Sequence, residues 1–213
     1  MLPCVQIEPA DPAALASALA RLGTDDVLVL TSRAGIDAVA SVVALPEIPC
    51  PIAVVGAASA ARLEEHGRAA DFVPGVASGA ALGRELPLPP GEVVLLRSDR
   101  ALRDLTEMLH RRGARVREVV AYQTRAVARG DIAAAREALR LGATVVLASP
   151  SALEGLVAAV GVATLAGARF VAIGPTTSRA VIRRLGVEAP VARVPTSEAI
   201  AELLMEEHVV ADR

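Results

Sequence analysis

Val27-Leu28-Val29-Leu30-Thr31-Ser32-Arg33-Ala34 is followed by Ile52-Ala53-Val54-Val55-Gly56-Ala57-Ala58-Ser59 and a closing Gly67, and this pattern recurs about half a chain later. The second copy is Val145-Val146-Leu147-Ala148-Ser149-Pro150-Ser151-Ala152, then Phe170-Val171-Ala172-Ile173-Gly174-Pro175-Thr176-Thr177 and a closing Gly186. Ser32 and Ser149 are 117 residues apart, and Gly56 and Gly174 are 118 apart. A looser third block, Val73-Pro74 before Ser78, echoes Val194-Pro195 before Thr196 and Ser197. Self-similarity at this distance means two copies of one supersecondary plan, not a short-period solenoid. In each copy an apolar strand turns into a helix through small hydroxyl residues. The expectation is two α/β lobes with facing polar turns and a ligand between them.

Composition supports that plan. Of 213 residues, 53% are apolar, enough for a buried core without a disordered tail. The aromatics are only Phe72, Tyr122 and Phe170, so stacking platforms for single-stranded nucleic acid are not expected. A formal net charge of −2 gives no general pull toward nucleic acid either. All 22 basic residues are Arg, which excludes a P-loop lysine and Schiff-base chemistry. Genomic base composition is the plain account of Arg for Lys, yet the planar guanidinium also suits carboxylate and phosphate ligands. Cys4 and Cys50 read as free thiols of a reducing cytoplasm, and His66, His110 and His208 lack metal-ligand spacing. No cationic segment followed by an apolar run opens the sequence, and Gly155 to Ala168 is too short to cross a bilayer. A cytoplasmic protein without membrane, metal or nucleic-acid partner is expected.

Strand and helix signals alternate. Strands are expected at 27–31, 52–55, 71–73, 92–97, 115–120, 144–148, 169–173 and 191–194. Helices are expected at 12–22, 34–44, 58–66, 78–86, 100–112, 131–141, 151–160, 177–185 and 197–208. Leu102, Leu105 and Leu109 share one helical face. Asp11-Pro12 and Ser149-Pro150 read as caps followed by Pro, Ser151 with Glu154 as a capping box, and Gly67 and Gly186 as residues past helix ends. Continuous apolar strands between helices indicate doubly wound parallel sheets. Residues 1–9 and 118–125 break the rhythm and read as two crossings, or as an edge strand and a loop. With crossings, 10–117 is an inserted lobe and 126–213 the second lobe.

Ligands of such sheets sit beyond the carboxyl ends of the strands, where unpaired helix N–H groups attract anions. Thr31, Ser32, Arg33, Ser59, Arg97, Ser149, Ser151, Thr176 and Thr177 all fall there. Each hydroxyl alone reads as a helix cap and each Arg as a solvated side chain. Their pairing across two copies points to binding instead. Tyr122 is the sole Tyr, and its phenol, neutral near pH 7, can donate a proton or hydrogen bond. No Ser-His-Asp order, carboxylate pair or reactive Cys competes with it.

With these residues in place, the sequence resembles the uroporphyrinogen-III synthase family. The likeness rests on Leu-Thr-Ser-Arg-Ala at 30–34, Val-Val-Gly-Ala-Ala-Ser at 54–59 and Leu-Leu-Arg-Ser at 95–98. It continues through Val-Val-Ala-Tyr-Gln-Thr at 119–124, Ala-Ser-Pro-Ser at 148–151, Ile-Gly-Pro-Thr-Thr at 173–177 and Val-Pro-Thr-Ser-Glu at 194–198. The resemblance implies two α/β lobes on a two-stranded connector, with the substrate in a cleft. It implies conversion of hydroxymethylbilane, a linear tetrapyrrole with eight carboxylates, into uroporphyrinogen III. Water is lost, the last pyrrole ring is inverted through a spiro intermediate, and neither metal nor organic cofactor takes part.

Tyr122 matches the family's tyrosine, proposed to help the hydroxyl leave, and Ser59, Ser149, Thr176 and Thr177 match hydroxyls lining the cleft. The resemblance also implies a monomer that can receive substrate from hydroxymethylbilane synthase. Family members begin with a further strand–helix unit of about thirty residues, ending in a Thr-Arg-Pro-like turn, so lobe 126–213 is expected to lack its first unit. The competing expectation is a non-catalytic two-lobed homologue that binds tetrapyrroles or other anions.

Overall fold

The computed structural model describes residues 1–101, 103–194 and 196–211, so Leu102 and Pro195 lie outside the described residues. The chain forms two compact units: Ile7–Thr124, and Met1–Gln6 together with Arg125–Arg213.

The first unit is built on a five-stranded sheet in the order β1-β5-β4-β2-β3: β1 (Gln6–Pro9), β2 (Val27–Leu30), β3 (Ile52–Val54), β4 (Glu92–Ser98) and β5 (Arg115–Arg125). β2 pairs in parallel with β3 and β4, and β4 with β5. Every residue of β2 is buried because both of its faces are covered. Leu28, Leu30, Ile52, Val54, Val94 and Leu96 pack into one core with α1 (Pro12–Leu19), α2 (Arg33–Ala40) and α3 (Ala57–Glu65). The alternate residues Val27, Val29, Ala53, Val93 and Leu95 pack into a second core with α4 (Gly79–Glu85) and α5 (Asp104–Arg111). Of the expected stripe on α5, Leu105 and Leu109 are buried.

The crossing expected at 118–125 is continuous with the strand before it, so that β5 runs eleven residues. Its register against β4 slips near the end: Arg97 pairs with Val120, but Ser98 pairs with Tyr122. Residue 121 is passed over, a bulge that re-aims the side chains beyond it. By strict alternation Tyr122 would share a face with Val116. Instead it joins Val119 and Ala121 on the core that holds α2. Asp99 pins this end, donating its N–H to the Tyr122 carbonyl (3.2 Å) and accepting from Thr124 N–H (2.9 Å) and Ser98 Oγ (3.0 Å).

The second unit carries a parallel pair, β6 (Thr144–Leu147) and β7 (Arg169–Ala172), with α6 (Ile132–Arg140), α7 (Pro150–Val160), α8 (Val162–Leu165), α9 (Pro175–Leu185) and α10 (Ser197–Ala211). Leu147, Phe170 and Ala172 pack with Leu153, Leu156 and Val181. The N-terminal segment is part of this unit, because the Pro3 carbonyl accepts from Arg129 N–H (2.8 Å) and Leu2 and Cys4 lie against the core.

Two expected strands, 71–73 and 191–194, are reduced to single parallel bridges, Ala53 with Phe72 and Ala172 with Val191. Pro74 and Pro190 border them and have no N–H for a longer ladder. The helix expected at 34–44 ends at Ala40, and a 3-10 turn follows at Leu45–Glu47. The capping box expected from Ser151 and Glu154 is absent: Ser149 caps α7 by accepting from Ala152 N–H, and Glu154 lies 3.7 Å from Arg184. Gly67 and Gly186 do close their helices in the left-handed region, at φ 79° and 71°.

Candidate functional site

Each unit presents hydroxyl groups where its parallel strands give way to helices. In the first unit Ser32 caps α2, its Oγ accepting from Gly35 N–H at 3.1 Å. In the second, Ser149 caps α7 in the same way, accepting from Ala152 N–H at 3.1 Å. Both have extended backbones, so the repeat holds at the level of geometry.

The second pair of turns differs in kind. α3 and α9 begin after Gly56 and Gly174, and neither has a side-chain cap. Of their first-turn N–H groups, those of Ser59 and Thr177 donate to the Gly56 and Gly174 carbonyls, which leaves those of Ala57, Ala58 and Thr176 for an anion. Ser59 and Thr177 each occupy the third helical position, 5% and 3% exposed. Neither hydroxyl makes a hydrogen bond within the described residues, and neither oxygen is among the buried polar atoms left without a partner, so each is open to a ligand from outside. Thr177 is therefore the counterpart of Ser59. Thr176 matches Ala58, and the extra residue of the second copy falls later, in the longer helix α9.

Ser149, Gly174, Thr176, Thr177 and Arg193 line an open concavity of about 450 Å³ in the second unit. A side chain at Gly174 would meet nothing within 4 Å, so the turn faces free space. The N-termini of α7 and α9, with Arg193 in the lining, suit this concavity to a carboxylate. Arg193 escaped the sequence reading because it sits within an expected strand. Its one signal is its place just before the third repeated block, at Val194.

Thr31 and Ser32 are partly buried and Arg33 is exposed at the start of α2. Tyr122 is brought to them, its Oη 2.9 Å from Ser32 Oγ. Ser151 lies inside the first turn of α7 and is not among the residues lining the concavity. Arg97, expected to face substrate, is 5% exposed and lies on the α5 side of the sheet. It donates to Thr106 Oγ1 (3.0 Å), which donates to Glu118 (2.7 Å), and Glu118 lies 3.7 Å from the guanidinium. Its charge is engaged inside the unit. No cluster of three His, Cys, Asp or Glu among the described residues could hold a metal ion. No helix among them is long and apolar enough to cross a membrane. Burial pushes the thiols of Cys4 and Cys50 up, away from the reactive thiolate.

Solved structures share this fold. A mutant uroporphyrinogen III synthase from Thermus thermophilus matches with a TM-score of 0.63 at 22% identity, over 99% of this chain and 88% of that one. The wild-type enzyme of that organism matches with a TM-score of 0.51 at 22% identity, over 97% and 85%. Uroporphyrinogen-III synthetase from Helicobacter pylori 26695 matches with a TM-score of 0.61 at 17% identity, over 95% and 90%. A search of curated proteins returned no significant match. The family model described as uroporphyrinogen-III synthase HemD matches residues 1–202, nearly the whole sequence. This chain belongs to the uroporphyrinogen-III synthase family.

Proposed function

We propose that this chain cyclises hydroxymethylbilane to uroporphyrinogen III, with loss of water and inversion of the last pyrrole ring, as a hydro-lyase of porphyrin and heme biosynthesis. Family membership carries the activity and gives no support to a non-catalytic homologue. The observation that carries the residue assignment is the duplicated pair Ser59 and Thr177, two buried residues whose hydroxyls make no hydrogen bond among the described residues, at helix starts without a side-chain cap. Hydroxyls so placed have a donor and two acceptor positions free for a ligand. In this reading the carboxylates of the tetrapyrrole take the turns at Thr31–Arg33 and Ser59, and those at Ser149, Thr176 and Thr177 with Arg193. Arg97 is left out because its guanidinium is held inside the fold, and Ser151 because it does not line the concavity.

Tyr122 acts as the acid for the departing hydroxyl. The rest of the catalysis is positional: holding the ends of a flexible chain together replaces entropy that the free reactant would lose. The protein works as a cytoplasmic monomer, with substrate supplied by hydroxymethylbilane synthase.

The test is to supply purified protein with hydroxymethylbilane and separate the product isomers. Type III product above the spontaneous type I background is expected, and type I alone would overturn the assignment. Tyr122→Phe should lower kcat with little change in KM, and unchanged turnover would remove Tyr122 from the site.

A further inference from the structure

We propose that Ser32 is a positioning residue that turns the phenol hydrogen of Tyr122 outward, toward the leaving hydroxyl; this rests on the reading of Tyr122 as the acid. Ser32 Oγ stands between two groups, with Gly35 N–H donating to it at 3.1 Å and Tyr122 Oη at 2.9 Å. A serine hydroxyl has one hydrogen and two lone pairs, and the Gly35 N–H occupies one lone pair. Ser32 is the N-cap of α2, where the positive ends of the peptide dipoles repel its hydrogen. Either hydroxyl can donate across this contact; we place the Ser32 hydrogen on Tyr122 Oη, away from the helix. With its oxygen engaged as an acceptor, Tyr122 has its own hydrogen left for a third party.

The surroundings fix this arrangement. The register slip opposite Ser98 places the ring on the face that carries α2. Gly35 lies close to the pair: a Cβ there would meet Tyr122 Cε1 at an ordinary 3.8 Å and Ser32 Oγ at a tight 3.3 Å. During the reaction the C–O bond of the hydroxymethyl group breaks with its electron pair on oxygen, and the phenol proton makes that oxygen water. The phenolate so formed keeps the Ser32 hydrogen bond and sits in the positive field at the start of α2. The proton shed by the pyrrole carbon on ring closure restores the phenol.

The test combines kinetics with the Raman doublet of the tyrosine ring, whose intensity ratio reports whether the phenol oxygen accepts or donates. The signal belongs to one residue, since the chain has a single Tyr. The wild type is expected to read as an acceptor and Ser32→Ala to lose that signature. Ser32→Ala should lower kcat about tenfold, the worth of one hydrogen bond, with KM within about twofold. Ser32→Thr, which keeps the hydroxyl, should restore both. Ser78→Ala removes an equivalent cap on α4, where Ser78 Oγ accepts from Ala81 N–H at 3.1 Å, and should leave kcat unchanged.

A wild-type phenol that reads as a donor overturns the proposal. So does a Ser32→Ala effect confined to KM. If Ser32→Ala leaves kcat intact while Tyr122→Phe abolishes turnover, only the role of Ser32 falls. If Tyr122→Phe retains full kcat, the reading of Tyr122 falls and this proposal with it.

Discussion

Thr177→Val separates a binding hydroxyl from a structural one, because only the structural role would lower stability. The residue is 3% exposed, stands in the first turn of a helix without a side-chain cap and lines the concavity that also holds Ser149 and Arg193. Its hydroxyl has no partner in the described residues. The oxygen is not among the buried polar atoms left without a partner, so its removal relieves no burial penalty. Valine has the same shape and similar helix propensity, so the substitution should change stability by less than about 0.5 kcal/mol. For a chain of this size that is a shift in Tm of no more than about 2 °C. Binding should change much more. A hydrogen bond to a charged carboxylate contributes about 1.5–3 kcal/mol, so KM for hydroxymethylbilane should rise roughly tenfold to a hundredfold. Thermal unfolding by circular dichroism and initial rates of uroporphyrinogen III formation measure the two effects. A fall in Tm with an unchanged KM would refute the reasoning, since it would mean that the hydroxyl serves the fold.

Three further substitutions test other parts of the structure. Arg193→Gln should raise KM with little effect on kcat, since Arg193 lines the concavity of one unit and Tyr122 belongs to the other; an unchanged KM would remove it from the site. Gly155→Ala would place a Cβ 2.0 Å from the Cys4 carbonyl oxygen, and the forced shift of the N-terminal segment should cost about 3 kcal/mol, read by denaturant unfolding. The Asp26 carboxylate accepts from Glu92 N–H (2.7 Å) and Gly23 N–H (2.8 Å), and these bonds hold it below the usual carboxylate range. A depressed folded pKa adds stability that is complete above the unfolded value of about 4 and is lost as pH falls through the folded value. Asp26→Ala should therefore melt below the wild type at neutral pH, and the gap should close on acidification; a gap independent of pH would refute this.

Much of the architecture was legible because the repeat is local. An apolar strand followed by Ser or Gly and a helix is written in consecutive residues, so β2–α2, β3–α3, β6–α7 and β7–α9 could be placed from the sequence. The caps Ser32 and Ser149 follow from the same short-range chemistry. The expected strands 71–73 and 191–194 failed because a ladder depends on what lies beside it, and bordering prolines leave only one bridge each. Arg97 misled for a related reason. A cation at a strand end looks available until Thr106 and Glu118, from an adjacent helix and strand, arrive beside it.

The sequence by itself determined two copies of a strand–turn–helix plan, an aliphatic core, the hydroxyl-bearing turns and a single candidate acid. Tertiary structure alone decided which way that acid faces. Alternation along β5 would send Tyr122 to the side of Val116, away from Ser32. One slipped register against β4 turns it to the α2 side, where its phenol meets the cap of a helix that begins 89 residues earlier, at Arg33. Tertiary structure alone also decided that Ser59 and Thr177 are buried with hydroxyls unpartnered among the described residues. Caps and strand runs depend on neighbours in the chain, whereas facing and partnership depend on neighbours in space.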